Sequence, residues 1–231
     1  MATVFLIPAP LEEESLQAIP AYVLDAIKQC TVLFAENERT ARRYLKKLDK
    51  SIVIDNYEWY TIHKAEQEVK QAFVQQLKAG KIIGIISEAG CPGIADPGQV
   101  LIEAAHVHGA IIKPLVGPSS ILLALMGSGM NGQQFAFVGY LPIDEQQRKK
   151  KLLQLEEYSA KQQSTQVFIE TPYRNNQLLE TILKTCKPTS RICVAANLTA
   201  TNESIVTKTV ADWKKAKPEL HKQPVIFCLM G

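Results

Sequence analysis

Short runs of β-branched and aromatic residues alternate with segments of helical spacing along the first half of the chain, and this alternation constrains the fold more than any other feature. The clearest helical spacing joins Val69, Phe73 and Leu77 with Ala65, and Gly80 closes it. The runs that predict strands are residues 4–7, 31–34, 52–54, 82–86 and 111–116. Because most of them are apolar throughout, they predict a mainly parallel sheet with helices on both faces.

The second half also mixes strands with helices. Its strand-like runs are residues 135–139, 166–170, 191–195 and 225–229. Asp144 and Gln147 have the spacing of a capping box, which predicts a helix over residues 145–159. Proline and glycine punctuate the chain at Pro114 and Gly117. We therefore expect an α/β protein with an N-terminal α/β domain over residues 1–116 and a mixed α/β domain over residues 117–231.

The overall composition is that of a globular chain and excludes several classes of protein. The 231 residues include 26 Lys and Arg against 23 Asp and Glu, and a net charge of +3 does not by itself indicate a polyanionic partner. The apolar runs are far shorter than the roughly 20 residues that cross a bilayer. The first residues also lack the basic segment of a secretory signal. We expect no membrane span.

Cysteine and histidine residues indicate neither a disulfide framework nor a metal site. The five cysteines are odd in number and include no Cys-x-x-Cys pair, which favours the reducing cytoplasm. His106 and His108 are two residues apart in a predicted helix, where they do not share a face. His63 and His221 are isolated. We expect a cytoplasmic protein without a metal.

The loop over residues 87–98 is the most informative segment, because it follows a buried type of strand and precedes a helix. It reads Ser-Glu-Ala-Gly-Cys-Pro-Gly-Ile-Ala-Asp-Pro-Gly. Its glycines allow a ligand to approach the backbone closely, at the edge of the sheet where open α/β folds bind ligands. The alternative is a tight connection in which Ser87 or Asp96 caps the helix. Neither the phosphate loop of ATP-binding proteins nor the Gly-x-Gly-x-x-Gly of dinucleotide-binding proteins is present.

This loop resembles the Ser-Asp-Ala-Gly-Thr-Pro…Ser-Asp-Pro-Gly signature of the tetrapyrrole methylase superfamily, in particular its branch of small-subunit ribosomal RNA cytidine 2′-O-methyltransferases. Five further segments match in order along nearly the whole chain: Ile7-Pro8-Ala9-Pro10, Ala35-Glu36-Asn37-Glu38-Arg39, Gly117-Pro118-Ser119, Gly139-Tyr140-Leu141-Pro142 and Glu170-Thr171-Pro172-Tyr173-Arg174. The resemblance implies a two-lobed class III methyltransferase fold. It also implies a homodimer that binds S-adenosylmethionine between its two α/β domains.

The resemblance also implies which residues form the site. Glu36, Arg39 and Glu170 are the expected catalytic residues. A ribose hydroxyl is a poor nucleophile that benefits from a positioned base or an orienting carboxylate, for which Glu36, Glu88, Asp96 and Glu170 are the candidates, and Arg39 is expected to face the substrate. For each carboxylate, the alternative is a helix cap or a surface ion pair. The expected cofactor-binding residues are Pro8, Pro10, Ser87, Glu88, Ala89, Gly90, Asp96, Pro118, Ser119, Ser120, Phe168 and Glu170.

Two basic stretches are candidates for contacts with RNA phosphates. The first stretch consists of Arg39, Arg42, Arg43, Lys46, Lys47 and Lys50. The second covers residues 148–151. For both stretches the alternative is a solvated helix face.

The chain departs from the ribosomal RNA branch mainly at positions expected to face the acceptor. Glu12, Glu13 and Glu14 replace Gly-Asn-Leu, Asn37-Glu38 replaces Asp-Thr, and Ala196-Asn197-Leu198-Thr199-Ala200 replaces Arg-Glu-Leu-Thr-Lys. Methylation of ribosomal RNA, or of the small ribosomal subunit, at a ribose 2′-hydroxyl is the leading hypothesis. Methylation of a small molecule such as a tetrapyrrole, or cofactor and RNA binding without catalysis, are the alternatives.

Overall fold

The computed structural model describes residues 1–62 and 66–231, which form two compact units, Met1–Ser119 and Ser120–Gly231. His63 and Ala65, which were considered from the sequence, lie outside the described residues. No helix in the described part of the chain combines the length and apolar character that a membrane span requires.

The first unit is built on a five-stranded sheet in which neighbouring strands are parallel, in the order β3-β2-β4-β1-β5. Its strands are β1 (Thr3–Ile7), β2 (Val32–Ala35), β3 (Glu58–Thr61), β4 (Ile82–Ile86) and β5 (Ile111–Pro114). Its helices are α1 (Tyr22–Gln29), α2 (Glu38–Leu48), α3 (Glu66–Lys78) and α4 (Gln99–Val107).

Residues that alternate along these strands enter two different hydrophobic cores. On one face, Phe5, Ile7 and Leu33 pack with residues of α1 and α2. On the other face, Val4 and Phe34 pack with residues of α3 and α4. The predicted parallel sheet with helices on both faces is confirmed, and it explains why these strands are apolar throughout.

The second unit contains a five-stranded mixed sheet in the order β6-β7-β10-β8-β9. Strands β6 and β7 are parallel, and the other neighbours are antiparallel. Its strands are β6 (Phe135–Tyr140), β7 (Thr165–Ile169), β8 (Arg191–Ala196), β9 (Ser204–Thr209) and β10 (Val225–Met230). Its helices are α5 (Ser120–Ser128), α6 (Glu145–Gln162), α7 (Asn175–Thr185) and α8 (Val210–Lys215). The predicted α/β fold class is confirmed.

The sequence predicted the start of α6 correctly and one strand wrongly. The Asp144 carboxylate accepts a hydrogen bond of 2.9 Å from the backbone N–H of Gln147, as a capping residue does. Residues 52–54 are not a strand. The chain instead forms a 3₁₀ turn at Ile54–Asn56, and the strand at this edge of the sheet is β3.

Candidate functional site

Strands β1, β2 and β4 are close neighbours in the parallel sheet, so the segments that follow them meet at one edge. The segments after β1 and β4 are joined directly. The N–H of Ala9 donates to the carbonyl of Gly90 at 2.9 Å, and the N–H of Gly90 donates to the carbonyl of Ala9 at 3.0 Å. This bridge fixes the start of the predicted ligand loop at the edge where such sheets bind ligands.

A pocket of about 220 Å³ opens at this edge, entirely within the first unit. Its lining combines the ends of the three strands with one face of α2. The lining residues are Ala9, Pro10, Leu11, Glu13, Ala35, Glu36, Asn37, Thr40, Ala41, Tyr44, Lys47, Ile86, Ser87, Glu88 and Ala89. Five of the predicted site residues therefore lie around one cavity: Pro10, Glu36, Ser87, Glu88 and Ala89.

Glu36 is the most unusual side chain in this pocket. Its Oε1 atom is buried and accepts no hydrogen bond from any residue that the structure describes. Burial, together with the nearby charges of Asp96 and Glu88, raises the pKa of Glu36 to about 7. A carboxyl group with a free oxygen and a pKa near neutrality is suited to accept a proton from a ligand.

Ser87 and Asp96 interact with each other across the loop. The Ser87 hydroxyl is hydrogen-bonded to the Asp96 carboxylate and lies 3.0 Å from the carbonyl oxygen of Ala89. Burial raises the pKa of Asp96, although the hydrogen bond from Ser87 opposes this shift. Helix α4 has Gly98 as its N-cap and no side chain caps it. The two polar residues therefore hold the loop together rather than begin the helix.

Helix α2 and its cap line the pocket with side chains that include two residues not predicted from the sequence, Thr40 and Tyr44. Asn37 caps the helix by accepting a hydrogen bond of 3.2 Å from the N–H of Thr40. The Tyr44 hydroxyl donates to the carbonyl of Pro8 at 2.9 Å. Since Asn37, Thr40, Tyr44 and Lys47 recur at helical spacing, this periodicity was the available signal for a common face.

The segment after β5 closes against the segment after β1. A Cβ atom on Gly117 would lie 2.1 Å from Cβ of Pro8, so only glycine fits here. The Cys91 sulfur lies 3.5 Å from the carbonyl oxygen of Pro118, which brings the loop after β4 to the same place. The predicted residues Pro8, Gly90 and Pro118 are thus held together within the first unit.

We expect the substitution Gly117→Ala to destabilise the protein by about 2 kcal/mol or more, because the new methyl group would overlap the rigid ring of Pro8 and force the backbone to move. Thermal denaturation followed by circular dichroism measures the change. Gly132→Ala is the control, since a Cβ atom there meets nothing within 4 Å. Equal melting temperatures for the two variants would contradict the close approach.

The remaining predicted residues lie elsewhere. Arg39 is exposed on α2, does not line the pocket and forms no ion pair with any described residue. In the second unit, Glu170 is buried and forms an ion pair of 2.7 Å with Arg174. Phe168 is fully buried and stacks on Phe227 in the hydrophobic core, so its side chain does not face a ligand site. Ser119 ends the first unit and Ser120 begins α5.

The structure corrects one residue of the second basic stretch, Arg148, whereas phosphate contacts by Lys149, Lys150 and Lys151 stay a prediction. Arg148 is buried, and its guanidinium group donates to the carbonyl of Ile143 at 2.8 Å. It is therefore a structural residue and not part of a surface that meets phosphates. Within residues 1–62 and 66–231, no group of three or more His, Cys, Asp and Glu side chains is placed to hold a metal ion.

The fold and the site define a class of protein: an α/β enzyme with a ligand loop at the carboxyl edge of a parallel sheet and a carboxyl group able to accept a proton. Residues 15–214 match the family described as Tetrapyrrole (Corrin/Porphyrin) Methylases. The chain belongs to this family, and it is a methyltransferase. The predicted superfamily and enzyme class are confirmed.

Curated relatives and solved structures agree with this assignment. The chain is 30% identical to the ribosomal RNA small subunit methyltransferase I of Vibrio cholerae, over 90% of this chain and 69% of the relative. It is 26% identical to the protein of that name from Bacillus subtilis, over 92% and 69%.

Two solved structures share the fold at low sequence identity. The methyltransferase CobJ has a TM-score of 0.65 at 18% identity, over 100% of this chain and 93% of that chain. The Thermus thermophilus uroporphyrin-III C-methyltransferase complexed with S-adenosylhomocysteine has a TM-score of 0.59 at 16% identity, over 99% and 97%.

Proposed function

We propose that this enzyme transfers a methyl group from S-adenosylmethionine to a ribose 2′-hydroxyl of ribosomal RNA. The observation that carries the proposal is the buried Oε1 atom of Glu36, which lines the pocket and has no partner among the described residues. The relatives named ribosomal RNA small subunit methyltransferase I support the choice of acceptor, because they match the chain over about nine tenths of its length.

S-adenosylmethionine is the methyl donor. It supplies an electrophilic methyl group on a positively charged sulfur, and its product is the S-adenosylhomocysteine present in the Thermus thermophilus structure. The loop after β4 fits such a ligand. Glu88 and Ala89 are exposed, and their backbone N–H groups make no hydrogen bond within the described part of the chain. We propose that the cofactor is held by this loop, Ser87, Glu88, Ala89 and Gly90, with Glu88 and Ala89 donating their backbone N–H groups and with Pro8 and Pro118 shaping the site beside them.

The size of the pocket favours a ribose unit as its occupant. Its volume of about 220 Å³ is below the roughly 300–1,000 Å³ of sites that enclose drug-sized ligands. A pentose ring is small enough for such a space, whereas a whole tetrapyrrole macrocycle is not. The polar side chains of Asn37, Thr40 and Lys47 on one wall are suited to ribose hydroxyls and a phosphate.

Glu36 is the proposed general base. With a pKa of about 7, a substantial fraction of its carboxyl group is ionised at neutral pH and can take the hydroxyl proton as the oxygen attacks the methyl group. Burial makes this carboxylate a stronger base than an exposed one. The adjacent wall excludes water from the reacting oxygen with apolar residues, among them Ala35, Ala41 and Ile86.

The other predicted roles stand beside this one as proposals. Arg39 is exposed and free to contact an RNA phosphate, so we propose it as a substrate-facing residue rather than one that touches the reacting atoms. Glu170 accepts hydrogen bonds from Arg174, and its catalytic and cofactor-binding roles are proposals that rest on the resemblance. We also propose a cytoplasmic homodimer, as the resemblance to the methylase family implies.

Mass spectrometry of ribosomal RNA nucleosides tests the function directly. We expect cells that lack the protein to lose one 2′-O-methylated nucleoside, and the wild-type gene to restore it. Transfer of tritium from labelled S-adenosylmethionine in cell extract separates the alternatives. Label in a small molecule and not in RNA would establish a different acceptor, and no label in any fraction would establish a non-catalytic protein.

A further inference from the structure

The three glutamates that distinguish this chain from the ribosomal RNA branch form an organised turn after β1. The Glu12 carboxylate accepts the N–H of Glu14 at 2.9 Å and the hydroxyl of Ser15 at 3.2 Å. The Glu12 carboxylate therefore stabilises the turn itself through hydrogen bonds. Its two neighbours, Glu13 and Glu14, extend from the turn towards α2.

Glu13 and Glu14 form ion pairs with two cations of α2. The Lys47 ammonium lies 2.6 Å from Glu14 and 3.0 Å from Glu13, and the Arg43 guanidinium lies 3.4 Å from Glu13. The hydrogen bond from Lys47, followed by the charge of Arg43, lowers the pKa of Glu13. We name this arrangement, consisting of Glu13, Glu14, Arg43 and Lys47, the acidic latch.

The latch covers part of a longer row of positive charges. Arg39, Arg43 and Lys47 recur every four residues, so they lie along one side of α2, and Lys50 follows in the turn after the helix. Arg39 and Lys50 form no ion pair with any described residue, in contrast to the two latched cations. Glu13 and Lys47 also line the pocket that contains Glu36. The latch thus lies where a phosphate next to a bound ribose would arrive.

We propose that the acidic latch is a specificity device in which Glu13 and Glu14 take the places of RNA phosphates on Arg43 and Lys47 until the correct RNA displaces them. The inference rests on the proposed function and assigns these four residues a part in it. The ion pairs are suited to displacement because Glu14 and Glu13 are exposed to 78% and 53% in their side chains. Exposed pairs are weak and screened by salt, so a correctly placed phosphate competes with them.

The latch is expected to affect the binding of different RNAs differently. An RNA that places phosphates at Arg43 and Lys47 gains two contacts and loses the latch, whereas an RNA bound by Arg39 and Lys50 alone gains nothing from opening it. Non-specific RNA is therefore held more weakly than the number of basic residues on α2 indicates. Specificity in this scheme comes from a repulsive element as well as an attractive one.

Binding of a short RNA of non-ribosomal sequence to the double variant Glu13→Gln, Glu14→Gln tests the proposal. We expect its affinity to rise about tenfold at low salt, and the slope of log affinity against log salt to steepen by about 1.4 to 1.8, as two added phosphate contacts require. The control is Glu157→Gln, Glu180→Gln, which changes the net charge equally and breaks ion pairs with Lys161 and Lys184 on other helices. An equal gain in the control would overturn the proposal.

A double-mutant cycle provides the sharper readout. We expect Arg43→Ala, Lys47→Ala to cost little affinity for this non-ribosomal RNA in the wild-type background, where both cations are latched, and about tenfold in the Glu13→Gln, Glu14→Gln background. Equal costs in the two backgrounds would overturn the proposal.

The same cycle is measured with inorganic polyphosphate. A protein that methylates no RNA but shows the cycle with polyphosphate disproves the proposed acceptor and keeps the latch, whereas normal methylation without the cycle disproves the latch alone.

Discussion

Replacing Glu36 by Gln is expected to lower the turnover number for methyl transfer by about 10²- to 10⁴-fold, the usual contribution of a general base. The amide has nearly the same shape as the carboxyl group but cannot take the hydroxyl proton. Binding of S-adenosylmethionine, measured by calorimetry, is expected to stay within about twofold, because the loss concerns proton transfer and not the cofactor. Single-turnover kinetics with saturating RNA measure the chemical step.

The pH dependence identifies the group responsible. Since the base acts in its ionised form and the pKa of Glu36 is raised to about 7, wild-type turnover is expected to rise with pH through neutrality and level off above it. The residual activity of the variant is expected to lack this rise. Near-normal turnover of Glu36→Gln with an unchanged pH profile would disprove the assignment of the base.

Whereas the turnover of the wild type is expected to rise with pH, its stability is expected to fall as pH rises towards neutrality. The folded state favours the neutral form of Glu36, because its pKa is raised above the value of 4.5 that a free carboxyl group has. Ionisation therefore destabilises the wild type progressively as pH rises from about 4.5 to about 7. The melting temperature of Glu36→Gln is expected to exceed that of the wild type above pH 7, with the difference shrinking towards pH 4.5. A stable but inactive variant excludes unfolding as the cause of lost activity.

The substitution Gly90→Val is expected to weaken binding of S-adenosylmethionine by about 100-fold or more. Gly90 has a φ of +83°, and a Cβ atom there would lie 3.4 Å from the carbonyl oxygen of Pro118. A branched side chain would extend beyond that point into the space between the loops after β4 and β5. Isothermal titration calorimetry measures the affinity, and thermal denaturation establishes that the protein is folded.

Gly109→Val is the matched control for this experiment. Gly109 also has a positive φ, of +65°, but a Cβ atom there meets nothing within 4 Å. Both variants place valine at a positive φ, so a difference in affinity between them reports what the side chain at position 90 does at the ligand loop. A folded Gly90→Val protein with the affinity of the control would place the cofactor elsewhere.

The sequence predicted interior strands better than some edge strands. Strands β1 and β4 are flanked by neighbours on both sides, and their residues are apolar on both faces, which made them recognisable. Strands β3 and β9 lie at the edges of their sheets and are only partly buried. They carry polar residues such as Glu58 and Lys208, so no continuous apolar run identifies them.

The site was partly predictable for a similar reason. Glu36 and Ser87 follow neighbouring parallel strands, whose carboxyl ends share an edge, so strand assignments alone place them together. The contributions of Tyr44 and Lys47 depend on which side of α2 turns towards that edge. That orientation is set by packing of Ala41 and Leu45 into the core, and the helical spacing of the apolar positions 41, 44, 45 and 48 was the signal from which it could have been predicted.

The cap of α2 has a consequence for the electrical environment of the pocket. Asn37 stands where the methylase family has an aspartate, and its side-chain oxygen still accepts the N–H of Thr40 at 3.2 Å. An amide does not titrate, so the start of the helix stays anchored at every pH at which Glu36 changes its charge. A fourth carboxylate beside Glu36, Glu88 and Asp96 would hold Glu36 neutral to a higher pH. With asparagine at position 37, the start of α2 is capped independently of pH, and the cap adds no negative charge that would raise the pKa of Glu36.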